Sequence, residues 1–310
     1  MLGVLTSEVR WSMRNYLLCI LLMLLSIQPA WSETVQIKHQ NLALNGNLVM
    51  ADGKKLSDGI ILMTHGTLAH GRMEIIASLQ DMFKERGLSS LAITLGLGIS
   101  NRSGMYDCKV PHRHKHTDAM NEIGAWLAWL KNKGAMKVTL FGHSRGGNQT
   151  AWFASKHNDP VINSVILAAP MIWNESKQVK GYKKSYGKNL TNVYSKAQAM
   201  VKMGKGKEMM AHTDFIYCKD AQVDAESFVD YYKADSHFNT PSLLKHITKP
   251  VLVFAGSEDK VVKGLIKKMK PLVDGKKIRL NIIDGAGHFF RDLNSEDMAD
   301  AIVDFLDKLK

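Results

Sequence analysis

The stretch that decides the fold is Val138-Thr139-Leu140-Phe141-Gly142-His143-Ser144-Arg145-Gly146-Gly147. Its first four residues predict a buried strand, and residues 148–157 follow as a predicted helix. The glycines leave room for a tight turn between the two elements. A serine hydroxyl is a weak nucleophile and must be held away from its own backbone, facing a base. The stretch therefore predicts a nucleophilic serine, Ser144, on a strand–turn–helix unit.

Strand and helix patterns alternate on both sides of this unit. Strands are predicted at residues 35–38, 42–50, 59–64, 90–94, 137–141, 164–169, 251–255 and 278–283. Helices are predicted at residues 72–86, 117–133, 148–157 and 295–309, the last with Ser295 as its N-cap. The alternation indicates an α/β protein with a mostly parallel sheet and helices on both faces. The first two strands predict an antiparallel start, joined at Asn45-Gly46 or at nearby turn residues.

One stretch, residues 171–246, interrupts the alternation. It shows no strong strand and has helix-like segments at residues 193–210 and 225–234. Because it is too long for a simple connection, we predict a mostly helical insertion. Its methionine and aromatic side chains are expected to form either the core of the insertion or an adaptable apolar lid over a pocket. The expected organisation is residues 1–32 as signal peptide, 33–170 and 247–310 as catalytic core, and 171–246 as cap.

Residues 1–32 have the pattern of a secretory signal peptide. Arg10 and Arg14 precede an apolar run, and Ala30-Trp31-Ser32 provides small residues at the spacing that signal peptidase recognises. We predict cleavage after Ser32 and a periplasmic or secreted protein. Met13 heads a shorter signal of the same kind and is an alternative start. An uncleaved anchor is the other alternative, although the run is shorter than the roughly 20 residues of a membrane span.

The predicted export determines how the cysteines are interpreted. Once Cys19 is removed with the signal, Cys108 and Cys218 remain in a compartment where a disulfide persists. We predict a bridge between them, with two unpaired buried thiols as the alternative. The three cysteines and the absence of a CxxC pair exclude a disulfide-dense miniprotein, a zinc knuckle and a thioredoxin-like site.

Composition excludes further classes. With 310 residues, 45% of them hydrophobic, the chain buries a large core and is too apolar to be disordered. The 41 basic residues exceed the 29 acidic ones, which gives a net charge of +12. The lysines are scattered and no nucleic-acid fold signature accompanies them, so we expect a solvated basic surface and no nucleic-acid partner. A membrane-surface role for the basic face remains an alternative.

A base and an acid for Ser144 follow later in the chain. The predicted strand at residues 251–255 leads into Glu258 and Asp259, and the strand at residues 278–283 leads into His288. The order serine, acid, histidine matches that of the hydrolases with a strained serine turn. Glu258 is the alternative acid. Asp284 is expected to be a turn residue, because it precedes the histidine by only four positions.

On these motifs the sequence resembles the α/β-hydrolase superfamily from about Gly59 to the C-terminus. The resemblance implies Ser144 as nucleophile, His288 as general base and acid, and Asp259 as the group that orients the imidazole. It also implies an oxyanion hole formed by the backbone N–H of Arg145 and that of Thr67, in Thr64-His65-Gly66-Thr67, with Leu68 as the alternative to Thr67. His65 is expected to support this loop rather than to react.

His112-Arg113-His114-Lys115-His116 suggests a metal site, because alternate residues of an extended chain point the same way. Only Asp107, Asp118 and Cys108 stand nearby to complete a ligand set, and the intervening basic residues oppose a cation. We therefore expect no metal site but a solvated basic loop near the mouth of the site, where it favours an anionic substrate.

The resemblance implies a serine hydrolase that acts on carboxylic esters of small molecules through an acyl-enzyme and needs no cofactor. An amidase, peptidase or thioesterase of the same fold is the alternative within the enzymes, because a fold does not fix its chemistry. A noncatalytic binding module is the alternative outside them. The sequence does not define the oligomeric state.

Overall fold

Apolar strands and amphipathic helices alternate along the chain, and they assemble into one sheet flanked by helices. The structure, a computed structural model, describes residues Ser32–Leu309. The predicted signal peptide falls, apart from Ser32, outside the described residues. Among the described residues, no helix is long and apolar enough to cross a membrane.

The sheet has eight strands, which are β1 (Ser32–His39), β2 (Leu42–Val49), β3 (Ile60–Thr64), β4 (Ser89–Thr94), β5 (Val138–His143), β6 (Ile162–Ala168), β9 (Val251–Gly256) and β10 (Ile278–Ile283). Their order across the sheet is β1-β2-β4-β3-β5-β6-β9-β10. β1 pairs antiparallel with β2, β2 pairs antiparallel with β4, and the other neighbours are parallel. This confirms the predicted α/β class with a mostly parallel sheet and an antiparallel start. Two further strands, β7 (Met209–Phe215) and β8 (Cys218–Asp224), pair with each other outside this sheet.

Helices connect these strands and bury one face against them. In α1 the buried side chains are those of Ile75, Ile76, Leu79, Gln80 and Phe83, at the spacing of one helix face. The helices of the described chain are α1 (Glu74–Glu85), α2 (Asp118–Asn132), α3 (Arg145–Lys156), α4 (Glu175–Tyr186), α5 (Leu190–Lys202), α6 (Ala225–Tyr232), α7 (Thr240–Leu243), α8 (Leu265–Met269) and α9 (Leu293–Asp307).

Of the positions predicted for the first turn, Asn45-Gly46 is wrong, because both residues lie inside β2. The chain reverses at nearby residues, Gln40 and Asn41. Gly46 is required for packing rather than for a turn. A Cβ atom there would lie 2.9 Å from Leu91 Cδ1 and 3.1 Å from the ring of Trp126. The glycine therefore lets the core approach the backbone of β2.

The prediction of an insertion without strands is also wrong. Between α5 and α6 lies a hairpin of β7 (Met209–Phe215) and β8 (Cys218–Asp224), with register shifts that interrupt its pairing. The predicted helix at 193–210 accordingly ends at Lys202, before β7 begins. Exposed polar residues and register shifts break the apolar alternation of these seven-residue strands, so the sequence pattern does not predict them.

The last helix begins earlier than predicted. It starts at Leu293 after Asp292, and Ser295 lies inside its first turn rather than at the N-cap. The Ser295 hydroxyl donates a hydrogen bond to the Asp292 carbonyl, 2.6 Å away. A serine can satisfy its hydroxyl in this way within a first turn, and so it is an imprecise marker of a helix start.

The cysteines pair as predicted, with Cys108 and Cys218 joined by a disulfide and their Cα atoms 5.3 Å apart. The bridge links the segment before α2 to the start of β8 in the insertion. A backbone hydrogen bond from His112 N to Gln222 O, 2.7 Å long, joins the same two regions. The hairpin is therefore attached to the catalytic core by covalent and backbone contacts.

Candidate active site

Ser144 occupies the turn between β5 and α3, with φ 56° and ψ −119°. This backbone conformation is rare for a residue with a side chain and persists only where the surroundings enforce it. The Ser144 N–H donates to the Ala168 carbonyl at 2.9 Å, and its carbonyl accepts from the Met171 N–H at 2.9 Å. These bonds to the end of β6 and the residues after it hold the strained turn in place.

A line of two hydrogen bonds joins the three residues that the sequence singled out. Ser144 Oγ lies 2.9 Å from His288 Nε2, and His288 Nδ1 lies 2.8 Å from Asp259 Oδ2. Since the carboxylate accepts from Nδ1–H, Nε2 is the ring atom that accepts the serine proton. Both side chains are nearly buried, at 7% exposure for His288 and 5% for Asp259. The arrangement can take a proton from Ser144 and stabilise the imidazolium that results.

The carboxylate of Asp259 is held in its charged form. Burial raises its pKa, but the hydrogen bond and charge of His288 and the backbone N–H groups of Val262 and Val261 outweigh burial, and the pKa of Asp259 lies below its usual value. The alternative acid, Glu258, is exposed. Asp284 lies in an exposed turn, where it accepts a hydrogen bond from Ser257. Of these three carboxylates, Asp259 is the one that contacts the histidine.

The backbone N–H groups of Thr67 and Arg145 are without an acceptor in the described part of the chain. Arg145 N–H is at the first turn of α3, where helix N–H groups lack partners and attract negative charge. The loop after β3 packs directly on this turn, because a Cβ at Gly146 would collide with the carbonyl oxygens of Thr64 and His65. Both groups are thus next to the serine turn, where an oxyanion needs donors.

His65 supports the loop after β3. Its Nε2 accepts from the Leu95 N–H at 3.0 Å, so its Nδ1–H donates to the Gly66 carbonyl at 2.8 Å. Burial and the nearby Arg102 hold the pKa of His65 well below its usual value, which keeps the ring neutral. This geometry agrees with the supporting role expected from the sequence.

The loop at residues 112–116 is not the solvated loop that we predicted. His112, His114 and His116 are fully buried, while Arg113 is exposed. His112 Nδ1 lies 3.1 Å from His114 Nε2, and the other nitrogen of His114 lies 2.9 Å from the Tyr231 hydroxyl. The alternation does place the histidines on one face, but this face packs against aromatic side chains of the insertion. No group of residues in the described chain is arranged to hold a metal ion.

His116 connects this buried face to Arg145. The guanidinium donates from Nη1 to His116 Nδ1, 3.1 Å away, and His116 Nε2–H donates to Asn148 Oδ1 at 3.0 Å. Burial, followed by the charge of Arg145, holds the pKa of His116 well below its usual value. Asn148 in turn donates to the Thr240 hydroxyl, which donates to the Met171 carbonyl. Asn148 was not predicted from the sequence, since nothing in a helical asparagine signals a buried network.

A cavity of about 280 Å³ lies between Arg145 and the insertion. Met171 and Trp173, at the start of the insertion, line one side of it, and side chains of α4, of the hairpin turn and of α6 enclose the rest. The methionine and aromatic residues of the insertion thus divide between the two expected roles, since Phe228 is buried in the core while Tyr231 and Tyr232 line the cavity. A hollow of about 350 Å³ at the amino ends of β3, β4 and β5 is remote from this site. In open α/β sheets the ligand site lies at the carboxyl ends of the strands, where the smaller cavity is.

The fold and the placement of these residues define an α/β hydrolase. The chain matches the Hydrolase_4 model, described as serine aminopeptidase, S33, over residues 56–291, and it belongs to this family. The protein is accordingly a hydrolase. None of the curated protein sequences is recognisably similar to it.

Solved structures share the fold at low sequence identity. Est1E from Butyrivibrio proteoclasticus is 17% identical with a TM-score of 0.61, over 90% of this chain and 99% of that one. The Pyrococcus furiosus esterase Pf2001 is 18% identical with a TM-score of 0.58, over 90% of each chain. The Paleococcus ferrophilus monoacylglycerol lipase is 17% identical with a TM-score of 0.55, over 86% of this chain and 99% of that one.

Proposed function

We propose that this protein is an exported serine hydrolase that cleaves carboxylic esters through an acyl-enzyme. The observation that carries the proposal is the continuous hydrogen-bond line from Ser144 through His288 to Asp259. The names of two structural neighbours, an esterase and a monoacylglycerol lipase, support the ester as substrate class.

In the proposed mechanism, His288 Nε2 takes the hydroxyl proton as Ser144 Oγ attacks the ester carbonyl carbon. The carbonyl oxygen becomes an oxyanion that accepts hydrogen bonds from the N–H groups of Thr67 and Arg145. His288 then gives its proton to the leaving alcohol, and the acyl group stays on Ser144. A water molecule loses a proton to His288 and attacks the acyl-enzyme, which releases the carboxylic acid and restores the serine.

The family description favours a second candidate, an aminopeptidase. Such an enzyme must bind the positively charged amino end of its substrate, for which a carboxylate near the nucleophile is suited. Among the described residues, the side chains that line the cavity include no aspartate or glutamate, and they include the cations Arg145 and Lys177. The charge of the cavity therefore favours the ester substrate over an α-amino amide.

A substrate panel distinguishes these activities. We expect the purified protein to hydrolyse p-nitrophenyl esters of one or more chain lengths and to leave aminoacyl arylamides intact, with acyl thioesters as a third arm. Turnover of the arylamides without turnover of the esters would replace the ester proposal by the aminopeptidase. Turnover of the thioesters alone would replace it by a thioesterase.

Export is a separate part of the proposal, supported by the signal pattern of residues 1–32 and by the Cys108–Cys218 disulfide. We expect the mature protein in the periplasm or the medium, with Glu33 as its first residue. N-terminal sequencing of the fractionated protein tests this. A cytoplasmic protein that keeps Met1 or Met13 would contradict it.

A further inference from the structure

The cavity beside the serine turn combines cationic and aromatic side chains. Tyrosines of α4 and α6 and the rings of Trp173 and Phe238 form much of its wall, and Arg145 lies at its core side. Arg145 Nε donates to the hydroxyl of Thr67 at 3.0 Å, so the guanidinium lies beside the loop whose N–H is proposed to hold the oxyanion. The cavity is thus suited to an acyl group that has an apolar body and a charged end.

The guanidinium of Arg145 has N–H donors that are not used in hydrogen bonds within the described chain. It donates from Nε to the Thr67 hydroxyl at 3.0 Å and from Nη1 to His116, which uses two of its five N–H groups. The other three have no acceptor among the described residues, and no carboxylate there lies within ion-pair distance. Its carbon Cζ lies 5.2 Å from the centre of the Tyr231 ring. Two hydrogen bonds therefore orient the guanidinium of Arg145, and it still lacks a counter-ion in the part of the chain that the structure describes.

Two lysines add to the positive charge of this region. Lys177 lines the cavity, and Lys268 donates to Asn239 Oδ1 at 2.9 Å. Neither forms an ion pair within the described chain. The nearby carboxylates are already paired, Asp214 with Lys188 at 2.7 Å and Asp230 with Lys233 at 3.1 Å. The excess positive charge around the cavity is thus not neutralised by the protein itself.

We propose that the Arg145 side chain binds a carboxylate at the far end of the acyl chain, so that the enzyme prefers monoesters of dicarboxylic acids. The inference rests on the proposed ester hydrolysis and names its substrate class. A guanidinium presents paired N–H groups that match a carboxylate, and the aromatic walls contact the intervening carbon chain. Hydrolysis then consumes one water and releases the alcohol, a dicarboxylate and a proton.

Two substrates that differ only at the far end of the acyl chain test the preference. One is the mono-p-nitrophenyl ester of adipic acid, which carries a free carboxylate, and the other is its methyl ester, which is neutral. We expect kcat/KM to be at least about 10-fold higher for the anionic substrate, since hydrogen bonds to charged groups are strong. The preference is expected to shrink as the salt concentration rises from about 0.05 M to about 1 M, because salt screens the attraction of partly exposed charges.

The variant Arg145→Gln keeps the backbone N–H and removes the charge. It should lower kcat/KM for the anionic ester at least about 10-fold more than for the neutral one. Arg279→Gln is the matched control, because this guanidinium also covers an aromatic ring, that of Phe305, but lies on β10 away from the cavity. Its substrate preference should equal that of the wild type.

Each outcome separates the two proposals. Equal kcat/KM for both esters in the wild type, or an unchanged preference in Arg145→Gln, would overturn the carboxylate site while ester hydrolysis stands. If the wild type hydrolyses neither ester, the result would instead contradict the proposed function. If Arg145→Gln does not fold, the salt dependence of the wild type and the variant Lys177→Gln, which should reduce the preference, decide the question.

Discussion

The side chain of His143 donates a hydrogen bond from Nε2 to the backbone carbonyl of His288, across 3.0 Å. His143 ends β5 and directly precedes Ser144, whereas His288 lies in the loop after β10. Burial and the proximity of His288 lower the pKa of His143 to about 4, so the ring is neutral near pH 7. One hydrogen bond thus fixes the loop that carries the proposed base against the strand that carries the proposed nucleophile.

We predict that His143→Phe lowers kcat about 10-fold and changes KM little. The substitution removes the hydrogen bond that positions His288 relative to Ser144, and it leaves the cavity unchanged. His143→Gln, whose amide is a donor, should retain more of the activity. Steady-state kinetics on a p-nitrophenyl ester measures both. A kcat for His143→Phe equal to that of the wild type would show that the hydrogen bond does not position His288.

Asp259→Asn should lower kcat by about 10³ to 10⁴, because an amide does not hold the imidazole in the tautomer that accepts the serine proton. The variant should keep nearly the thermal stability of the wild type, since the asparagine amide is nearly the same size as the aspartate carboxylate. The neighbouring variant Glu258→Gln is the control and should retain wild-type activity. The reverse result, an active Asp259→Asn and an inactive Glu258→Gln, would assign the acid to Glu258.

Glu122 gives a prediction about pH. Its carboxylate accepts from the Gly96 N–H at 2.7 Å, but burial dominates and raises its pKa from 4.5 to about 7. The folded state therefore binds more protons than the unfolded state between these values, and the Glu122 contribution to stability is lost as pH rises through this window. Above this window Glu122 is ionised in the folded state, and its burial lowers the free energy of unfolding by up to about 3 kcal/mol.

Glu122→Gln should consequently gain stability relative to the wild type as pH rises from about 5 to about 8. Urea denaturation at several pH values measures this difference. Glu85→Gln, at an exposed position of α1, should follow the wild-type profile. A difference between Glu122→Gln and the wild type that does not vary with pH would show that Glu122 is not protonated in the folded state.

The disulfide is expected to stabilise the protein by about 2 to 5 kcal/mol, because it closes a long loop in the unfolded chain. The two cysteines are separated by 110 residues. Reduction, or the double variant Cys108→Ser with Cys218→Ser, should lower the free energy of unfolding by this amount. Nonreducing mass spectrometry should find the two peptides joined, and two free thiols in the exported protein would refute the pairing.

The alternating strands and helices of the fold were predicted from the sequence. The β–α alternation and the order Ser144, Asp259, His288 were sufficient to place the three residues together, since parallel strands bring their carboxyl ends to one edge of the sheet. The cysteine pair followed from the prediction that the protein is exported.

The parts that the sequence did not predict depend on contacts distant in the chain. The histidines of residues 112–116 alternate with basic residues and look exposed, yet Tyr231 and Phe215 of the insertion cover them. The hairpin was missed for a related reason, because its irregular strands are stabilised by these same packing contacts. Local patterns do not contain such information, although the strict alternation of histidines did indicate that they share one face.

The central claim, that Ser144 is an activated nucleophile, is tested most directly by a fluorophosphonate probe on the folded protein. The proposal predicts stoichiometric labelling, with the modified residue identified as Ser144 by peptide mass spectrometry, and no labelling of a folded Ser144→Ala variant. A folded wild-type protein that is not labelled, or that is labelled equally after Ser144→Ala, would contradict it.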